Sequence, residues 1–396
     1  MVQAHATGSD FSWRAPLADA LEQLPAERRR QPRSWKPSGT AGLQSTTPGS
    51  RPLLDLASND YLGLASHPDL LEAAGLAMQR EGVGSGASRL VSGGRGVHDQ
   101  LEARLAVWLQ RERVLLFPSG FQANLAAVQA LADRHTLVLA DRLIHHSLLV
   151  GIRASGARLQ RFAHNQLTDL EQRLAKARRD QPNRRLLVIS ESLFSMEGTS
   201  PDLEGLSARC KRFDAALLLD EAHALGVLGP GGCGLGHGLG GISLISGTFG
   251  KAFGSGGAFL AGDGLVGEWL LQHSGPYRYT TALAPPLAAA ALAALTNIQQ
   301  HPERASQLVD RAERWRNRLE QAGWPRPPGY GPILPLLVGD DRRALSLQQQ
   351  LEQAGLLSVA IRPPTVPEGT ARLRLVLRHD LPRGSLDLLL RALGTP

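Results

Sequence analysis

Short apolar runs alternate with segments of helical periodicity from residue 114 onward, and this alternation constrains the fold more than any other feature of the chain. Nearly continuous apolar runs that are separated by helices predict a mostly parallel sheet with helices on both faces. Ligands of such sheets bind at the carboxyl ends of the strands, so the residues that directly follow each run are candidate site residues. The predicted strands are Val114–Phe117, Thr136–Ala140, Leu159–Ala163, Leu186–Ser190, Ala215–Leu219 and Ile242–Ser246.

Apolar positions spaced three and four residues apart predict helices between these strands and on either side of them. The predicted helices are Pro16–Arg33, Asp69–Arg80, Gly93–Leu109, Phe121–Ala132, Thr168–Arg179, Leu203–Phe213 and Pro285–Ala322, the last with a bend at Pro302. A further helix begins at Ser147–Gly151. Trp35–Pro52 is rich in Pro, Gly, Ser and Thr, which predicts a loop or a small hairpin.

The C-terminal part of the chain predicts a smaller α+β domain behind the α/β domain. Its expected strands are Ile333–Val338, Val359–Ile361 and Arg372–Leu377, and its expected helices lie near Ala344–Ala354 and Ser385–Leu393. We therefore divide the chain into an N-terminal helix and loop segment (1–52), a large α/β domain (53–294) and a small C-terminal domain (295–396). Within the first segment, Met1–Asp10 is expected to be a disordered tail.

The composition is that of an ordinary globular protein, with 42% apolar and 20% charged residues. We find no signal peptide and no segment that is long and apolar enough to span a membrane. The net charge is +7, but the arginines are scattered among 36 acidic residues without interleaved aromatics, so we expect no nucleic-acid partner. An anionic substrate or an acidic carrier protein remains compatible with that charge. Cys210 and Cys233 have no partner at metal-ligand spacing, which favours a reducing cytoplasm and no metal site.

A glycine-rich loop directly follows the apolar run Ile242–Ile245 and contains Lys251. Of the four lysines, only Lys251 is set among glycines and hydroxyl groups, where its side chain can reach a small molecule. A lysine amine is a weak nucleophile near its ordinary pKa of about 10.4, and burial or a neighbouring cation lowers that pKa. The loop by itself leaves open whether Lys251 forms a Schiff base or is a structural lysine in a turn.

Other strand ends carry polar or small residues that have both a structural and a functional explanation. Ser119 and Gly120 open a helix, where free backbone N–H groups bind a phosphate or are simply capped. Asp220 can hold a protonated ring nitrogen or cap the next helix, and His223 can reach a second group of the same ligand. His145 offers a ring for stacking. Taken singly, each of these residues is explained as well by the fold alone.

Together, the residues at the strand ends match the requirements of one cofactor, pyridoxal 5′-phosphate. This cofactor needs a Schiff-base lysine, a carboxylate at its pyridine nitrogen, a stacking ring and an amide-rich phosphate seat. Lys251, Asp220, His145 and the Ser119–Gln122 helix start supply these, and the Ser195 hydroxyl can donate to a ring substituent. The joint pattern is more specific than any of its parts, and it predicts a pyridoxal-phosphate site.

Three motifs resemble the α-oxoamine synthases, a branch of the fold-type I pyridoxal-phosphate enzymes. The motifs are Ser58–Leu64, Asp220–His223 and Thr248–Lys251, and the resemblance covers about residues 53–390. Within that family, the chain resembles the members of the biotin pathway at Phe162–Asn165, Ile361–Pro367 and Ala371–Leu375. Two segments depart from the family: Gly86–Leu90 lacks a glycine that some members carry, and Gly231–Gly241 is unusually rich in glycine.

The resemblance implies a role for each candidate residue. Lys251, Asp220 and His145 would be catalytic: Lys251 carries the cofactor as a Schiff base, Asp220 pairs with the pyridinium nitrogen, and His145 stacks on the ring. The other cofactor-binding residues would be His223 and Ser195 at the ring oxygen, and Gly120, Phe121 and Thr248 at the phosphate. The substrate would be bound by His145, Thr365 and Arg28, with Arg29 as an alternative to Arg28.

The resemblance also implies a homodimeric acyltransferase that condenses L-alanine with a pimeloyl thioester, carried on coenzyme A or on an acyl carrier protein. A sister enzyme that uses glycine or serine with another acyl thioester is the nearest alternative. An alternative of another class is a cofactor-binding regulatory module without catalysis. The chain shows no DNA-binding extension, which disfavours that module.

Overall fold

The computed structural model describes residues 13–396, so the tail expected at Met1–Asp10 lies outside the described residues. The strands are β1 (Trp35–Pro37), β2 (Gly42–Ser45), β3 (Pro52–Asp55), β4 (Arg113–Phe117), β5 (Leu137–Asp141), β6 (Arg158–Phe162), β7 (Leu186–Glu191), β8 (Ala216–Asp220), β9 (Leu244–Thr248), β10 (Ala258–Gly262), β11 (Ile333–Gly339), β12 (Leu356–Leu357), β13 (Val359–Ile361) and β14 (Ala371–Val376). The helices are α1 (Ala15–Glu22), α2 (Pro68–Glu81), α3 (Gly96–Leu109), α4 (Gly120–Leu131), α5 (His146–Ser155), α6 (Leu167–Asp180), α7 (Leu203–Arg212), α8 (Gly264–His273), α9 (Gly275–Arg278), α10 (Pro285–Gln300), α11 (Glu303–Gln321), α12 (Asp341–Gln353) and α13 (Ser385–Leu393).

A seven-stranded sheet organises residues 113–262, in the order β4-β10-β9-β8-β7-β5-β6. β10 pairs antiparallel with both of its neighbours, and the pairs among β9, β8, β7, β5 and β6 are all parallel. β4 therefore runs in the same direction as β9. This mostly parallel sheet confirms the α/β class that the alternation of apolar runs and helices predicts.

Strand β8 shows why the sheet is covered on both faces. Leu217 and Leu219 point into one apolar cluster, which includes Leu206 of α7, and Leu218 points into the other, which includes Val128 of α4. Because successive side chains of a strand alternate between its faces, an all-apolar strand needs a packed layer on each side.

Three strands end in an acidic residue at the carboxyl edge of this sheet: Asp141 ends β5, Glu191 ends β7 and Asp220 ends β8. The buried Asp141 carboxylate accepts hydrogen bonds from the backbone N–H of Asn165 (2.8 Å) and from His164 Nδ1 (3.0 Å). Asp141 thus fixes the loop after β6, whereas Glu191 and Asp220 lie opposite each other on neighbouring strands.

The C-terminal part contains the expected α+β elements, with β11, β14 and β13 in one sheet and α12 packed against it. A second small sheet has the order β1-β2-β3-β12, in which Leu54 of β3 pairs in parallel with Leu356 of β12. The N-terminal strands are thereby joined to the C-terminal part. Helix α10 also runs across residues 294 and 295. The division at residues 52 and 294 stays a prediction.

The helix expected over Pro16–Arg33 is wrong beyond Glu22, where α1 ends. Pro25 follows three residues later, and its ring and missing N–H are incompatible with a continuing helix. The Arg29 guanidinium turns back and donates to the Leu21 carbonyl (2.9 Å), which also accepts from the Leu24 N–H (3.3 Å). The arginine cluster therefore closes the end of a short helix instead of extending it.

The sequence patterns also missed β10, α8 and α9, which lie between the lysine loop and α10. β10 is a short apolar run behind a glycine-rich loop, and only its pairing with β4 and β9 identifies it as a strand. The start of α8 could have been predicted from Asp263, because aspartate is a favoured N-cap residue. In the structure Asp263 Oδ1 accepts from the Val266 N–H (2.7 Å). In the part of the chain from residue 13 onward, no helix has both the length and the apolar character for crossing a bilayer.

Candidate active site

Lys251 and Asp220 come from neighbouring strands of the central sheet. Asp220 is the last residue of β8, and Lys251 lies in the loop that follows the parallel strand β9. The loop is closed by hydrogen bonds from Phe249 N to Gly257 O (2.9 Å) and from Gly254 N to Lys251 O (2.9 Å). This tight turn holds Lys251 at the same carboxyl edge of the sheet as Asp220.

The Lys251 amine is set up as a nucleophile by its surroundings. Burial lowers its pKa to about 8; the charge of Asp220 opposes this shift, and Arg374 adds to it. An amine with this pKa has its electron pair free in a useful fraction near neutral pH, unlike an ordinary lysine with a pKa of about 10.4. The surroundings of Lys251 therefore favour a Schiff-base lysine over a structural one, a choice that the sequence left open.

The Asp220 carboxylate is buried and held by two donors. Asn124 Nδ2 lies 2.7 Å from Oδ2, and the backbone N–H of Ala222 lies 2.9 Å from Oδ1. Burial, together with the charge of Asp220, raises the pKa of Glu191 well above 4.5. Two buried carboxyl groups side by side repel each other less when one holds its proton, so Glu191 is the neutral member of the pair.

His223 is buried in the segment after β8, and its Nδ1 lies 2.6 Å from the Tyr61 hydroxyl. Burial and the charges of Lys251 and Arg374 lower the pKa of His223 well below 6.5, while burial raises the pKa of Tyr61. Both side chains are therefore neutral at neutral pH. His223 Nε2 makes no hydrogen bond within the described residues, which leaves it available to a ligand.

The start of α4 and the end of β9 form a cradle for an anion. Ser119 caps α4 by accepting from the Gln122 N–H (3.2 Å), and the N–H groups of Gly120 and Phe121 have no acceptor within the helix. A Cβ added at Gly120 would lie 3.5 Å from the Thr248 Cβ, so Gly120 and Thr248 face each other. Free N–H groups at a helix start beside a threonine hydroxyl suit a phosphate.

Arg374 of β14 reaches across to the loop that follows β7. Its Nε donates to the Ser195 carbonyl (2.7 Å) and its Nη2 donates to Asn59 Oδ1 (2.9 Å). The side chain is buried, and it forms no ion pair with any acidic side chain within residues 13–396. A buried guanidinium without a carboxylate partner, whose charge acts on Lys251, is suited to an anionic ligand group.

Arg28 and Thr365, the predicted substrate residues, lie in a second cluster. Arg28 Nε is 3.3 Å from Asp341 Oδ2 and its Nη2 is 2.6 Å from Glu368 Oε2. The arginine that contacts Thr365 is Arg30, whose Nη2 donates to Thr365 Oγ1 (3.0 Å). Within the described residues, no hydrogen bond or ion pair of this cluster reaches a residue of the Lys251 group.

His145 caps α5 at the same edge of the sheet, and its Nδ1 lies 2.7 Å from Ser147 Oγ. Burial, Lys251 and His146 lower the pKa of the His145 imidazole, and the charge of Asp220 opposes the shift. Part of the His145 residue nevertheless stays accessible to solvent, in keeping with a side chain that contacts a ligand. The Ser195 hydroxyl makes no hydrogen bond within the described residues and is free to donate.

The Gly231–Gly241 loop lies against Glu221. Glu221 accepts from the backbone N–H groups of Leu235 (3.1 Å) and Gly236 (2.6 Å). A Cβ at Gly234 or Gly236 would come within 2.7 Å or 2.9 Å of the Glu221 carboxyl group. The glycines are thus needed so that the backbone can approach a buried carboxyl group closely.

Four residues of this site were missed at the sequence level: Tyr61, Asn124, Glu191 and Arg374. Tyr61 and Arg374 lie inside motifs that carry the family resemblance, and Glu191 directly follows a predicted strand. The strand-end position was a usable signal for Glu191. Asn124 gave none, because a polar residue one turn into a helix is ordinary on a solvent-exposed face.

The residues present fit pyridoxal 5′-phosphate. The cradle at Gly120 and Thr248 matches a phosphate, and the buried acceptor Asp220 matches a protonated ring nitrogen. Lys251 lies close enough to Asp220 for their charges to interact, as a lysine that bonds the aldehyde of the same small cofactor requires. His145, His223 and Ser195 each present a free donor or ring surface at the same edge of the sheet.

Comparisons with known proteins identify the family of the chain. Residues 51–393 match the family model described as aminotransferase class I and II. The chain is 43% identical over 386 residues to the 8-amino-7-oxononanoate synthase of Chromohalobacter salexigens, with 97% of this chain and 96% of that protein covered.

Solved structures also match most of the chain. A serine palmitoyltransferase variant from S. paucimobilis, with pyridoxal phosphate and myriocin bound as an aldimine, matches with a TM-score of 0.87 and 25% identity, covering 96% of this chain and 94% of that chain. An 8-amino-7-oxononanoate synthase from Francisella tularensis matches with a TM-score of 0.74 and 28% identity, covering 86% of this chain and 96% of that chain.

Proposed function

The chain belongs to the 8-amino-7-oxononanoate synthases of the aminotransferase class I and II family, and we propose that it condenses L-alanine with a pimeloyl thioester in biotin biosynthesis. It is a pyridoxal-phosphate enzyme of fold type I. In the proposed reaction a C–C bond forms between the alanine Cα and the acyl carbon, and the C–S bond breaks. The alanine carboxylate leaves as carbon dioxide, and the thiol and 8-amino-7-oxononanoate are the other products.

The observation that carries the proposal is the shared setting of Lys251, Asp220 and Arg374 at one edge of the sheet. Bound pyridoxal phosphate supplies an electron sink for negative charge at the amino acid Cα. The buried Asp220 carboxylate would hold the proton of the ring nitrogen, and the unpaired Arg374 would bind the alanine carboxylate. Lys251, once released from the cofactor, would take the Cα proton and later return one.

The remaining cofactor contacts follow from the groups that line the site. We propose that Gly120, Phe121 and Thr248 hold the phosphate, because the α4 start and the Thr248 hydroxyl face each other there. His223 and Ser195 would donate to the ring oxygen. His145 would lie against the ring and contact the substrate.

The second cluster is our proposed site for the far end of the acyl chain. A pimeloyl group ends in a carboxylate, and Arg28, Arg30 and Thr365 are the cations and hydroxyl gathered there. Arg28 is paired with Asp341 and Glu368, whereas Arg30 pairs with no acidic side chain within the described residues. We therefore rank Arg30 above Arg28 and Arg29 as the ligand of that carboxylate.

Thiol release by the purified, cofactor-loaded protein tests the function. Alanine, glycine and serine are each offered with pimeloyl, succinyl and palmitoyl thioesters, on coenzyme A and on acyl carrier protein. We expect turnover with alanine plus pimeloyl. Turnover confined to serine plus palmitoyl would contradict the proposal and favour the sister activity, which the likeness to a serine palmitoyltransferase makes the second candidate. No thiol release with any pair would contradict both.

We further propose that two copies of the chain associate through the face formed by α2, the following loop and α9. The loop and the segment before α10 are joined by a hydrogen bond from Ala282 N to Ala87 O (2.9 Å). Val83, Val91 and Tyr279 are 71%, 79% and 80% exposed on these segments, which is unusual for side chains that bury well. Light scattering on the eluting protein should give the mass of a dimer, and Val91→Asp should shift it to a monomer.

Two further assignments remain proposals. The free and buried Cys210 and Cys233 fit a reducing compartment, which we take to be the cytoplasm. The division into 53–294 and 295–396 is best placed after α10, because that helix packs against α2 and α3. Limited proteolysis that cuts between α10 and α11 before any other described loop would support the revised boundary.

A further inference from the structure

A chain of hydrogen bonds runs from the Asp220 carboxylate to the His145 ring through two neutral side chains. Asn124 Nδ2 lies 2.7 Å from Asp220 Oδ2 and 3.0 Å from Ser147 Oγ. Ser147 Oγ lies 2.7 Å from His145 Nδ1. Asn124 and Ser147 are both buried, so water does not compete for these bonds.

A donor and an acceptor can be assigned to each hydrogen bond in this chain. A carboxylate only accepts, so the Asn124 amide turns its NH2 group to Asp220 and uses the second N–H for Ser147. Asn124 Oδ1 is buried and finds no donor within the described residues, which shows that the acceptors on the other side orient the amide. Ser147 then has its single O–H left for His145 Nδ1.

A second donor reaches the same imidazole nitrogen. The backbone N–H of Ser147 also points at His145 Nδ1 (3.3 Å). A nitrogen that faces two donors must carry the lone pair, so the ring proton is on Nε2. His145 Nε2 makes no hydrogen bond within the described residues and is free to donate.

The fold brings Asn124 and Ser147 together through a close contact of α4 and α5. A Cβ added at Gly151 of α5 would lie 3.0 Å from Val128 Cβ and 3.4 Å from the Asn124 carbonyl oxygen. Glycine at this position therefore allows the two helices to approach until the side chains of Asn124 and Ser147 touch.

We propose that Asn124 and Ser147 are positioning residues that hold His145 as a neutral ring with its proton on Nε2, oriented by the Asp220 carboxylate. The inference rests on the proposed function for the role of His145. The same carboxylate that binds the ring nitrogen of the cofactor then also sets which His145 nitrogen donates to the bound molecule. Hydrogen bonds behind a functional histidine fix its tautomer in this way in other sites.

Other charged groups also act on His145. Asp220 raises the pKa of the imidazole, Lys251 and His146 lower it, and the Glu191 carboxyl group accepts from the His145 backbone N–H. The hydrogen bonds to Nδ1 further lower the pKa of His145, because a donor to the lone pair favours the neutral ring.

The direct test is nitrogen NMR of the histidine-labelled holoenzyme, in which the His145 signals are identified from their absence in His145→Asn. We expect Nδ1 to appear as an acceptor and Nε2 as protonated. Ser147→Ala should raise the pKa of His145 by about one unit, because the neutral ring loses a donor. Ser155→Ala, at the far end of the same helix, should leave that pKa unchanged. A proton found on Nδ1, or no shift with Ser147→Ala, would overturn the proposal.

A double-mutant cycle separates positioning from simple support of the helix pair. Ser147→Ala should lower kcat/KM about tenfold in the chain with His145 and by less than twofold in the His145→Asn background. An equal loss in both backgrounds would mean that Ser147 acts on the fold and not through His145. Asn124→Leu, with nearly the same shape, provides a second variant and should raise the His145 pKa in the same direction.

These readouts separate this inference from the proposed function. The NMR titration needs no turnover, so it tests the positioning of His145 even if alanine and pimeloyl thioester are not the substrates. Suppose that Ser147→Ala releases thiol with normal kinetics and leaves the pKa of His145 unchanged. This result would contradict the positioning role of Ser147 and would leave the proposed function standing.

Discussion

At the residue scale, burial determines what Lys251 can do. The lowered pKa of about 8 predicts how the cofactor-free protein captures pyridoxal phosphate, since only the unprotonated amine attacks the aldehyde. The capture rate should rise with pH through a midpoint near 8, and should fall about tenfold for each pH unit below 7. Stopped-flow absorbance measures this rate.

Two variants control the capture experiment. Lys251→Ala should abolish covalent capture, and Lys176→Ala, which removes a surface lysine paired with Asp180 (2.9 Å), should leave the rate unchanged. A midpoint near 10 in the unmodified chain would show that burial does not activate Lys251.

Arg374 is the second residue whose environment predicts a measurable effect. Arg374→Met removes the unpaired guanidinium, so alanine affinity should fall by about 10- to 100-fold, the cost of a charge-assisted hydrogen bond. Ethylamine, which is alanine without its carboxylate, should bind equally to both proteins. Spectroscopic titration of the holoenzyme with each amine gives the two affinities, and an equal loss for ethylamine would refute the carboxylate assignment.

At the element scale, the glycine-rich loop after β8 is built around the buried Glu221. Burial raises the pKa of Glu221 to about 7 from the ordinary value of 4.5. The folded chain therefore holds this proton up to about pH 7, while the unfolded chain releases it near pH 4.5. The free energy of unfolding that this group contributes thus decreases as the pH rises from 4.5 to 7 and stays low above pH 7.

Glu221→Gln removes this titration and keeps the shape of the side chain. The unfolding free energy of the variant minus that of the wild type should therefore increase by about 3 kcal/mol between pH 4.5 and pH 8. Urea denaturation at both pH values measures the difference. The exposed Glu204→Gln is the matched control, and a pH-independent difference for Glu221→Gln would contradict the interpretation.

Strand β14 shows how one element connects two parts of the site. Arg372 and Arg374 are two residues apart, so they point to the same face and both reach the loop after β7. Arg372 Nη1 donates to the Met196 carbonyl (3.0 Å), and Arg374 Nε donates to the Ser195 carbonyl (2.7 Å). The C-terminal sheet thereby holds the loop that carries Ser195.

At the scale of the whole molecule, Arg378 links the C-terminal sheet to the segment after β3. Its guanidinium lies 3.2 Å from the buried Asp55 carboxylate, 3.4 Å from that of Asp60 and 2.8 Å from that of Asp380. These charges raise the pKa of Arg378, and the ion pairs keep buried Asp55 from being an uncompensated charge.

Arg378→Met should therefore lower the free energy of unfolding by about 3 kcal/mol, because it leaves Asp55 buried without its cation. Urea denaturation at pH 7 gives this value. Arg383→Met is the control, since Arg383 is exposed and makes no ion pair within residues 13–396. Equal stability of Arg378→Met and the unmodified chain would show that the cluster contributes no net stabilisation.

Local sequence patterns were enough to predict the central sheet, which the structure confirms, and they also predicted the candidate site residues. Strands buried on both faces have to be apolar along their whole length, so β5, β7, β8 and β9 were readable within two residues. Residues at the carboxyl ends of parallel strands meet at one edge of the sheet, which predicts that Asp220 and Lys251 lie close together. Pro302 likewise marked the break between α10 and α11.

Tertiary structure alone decided the rest, because the deciding contacts join residues far apart in the chain. The antiparallel β10, the pairing of β3 with β12 and the partner of Thr365 depend on such contacts. The neutral state of Glu191 and the pKa of Lys251 depend on burial and on neighbouring charges, which no local pattern encodes. The hydrogen bonds from Asp220 to His145 exist only because α4 and α5 pack closely at Gly151.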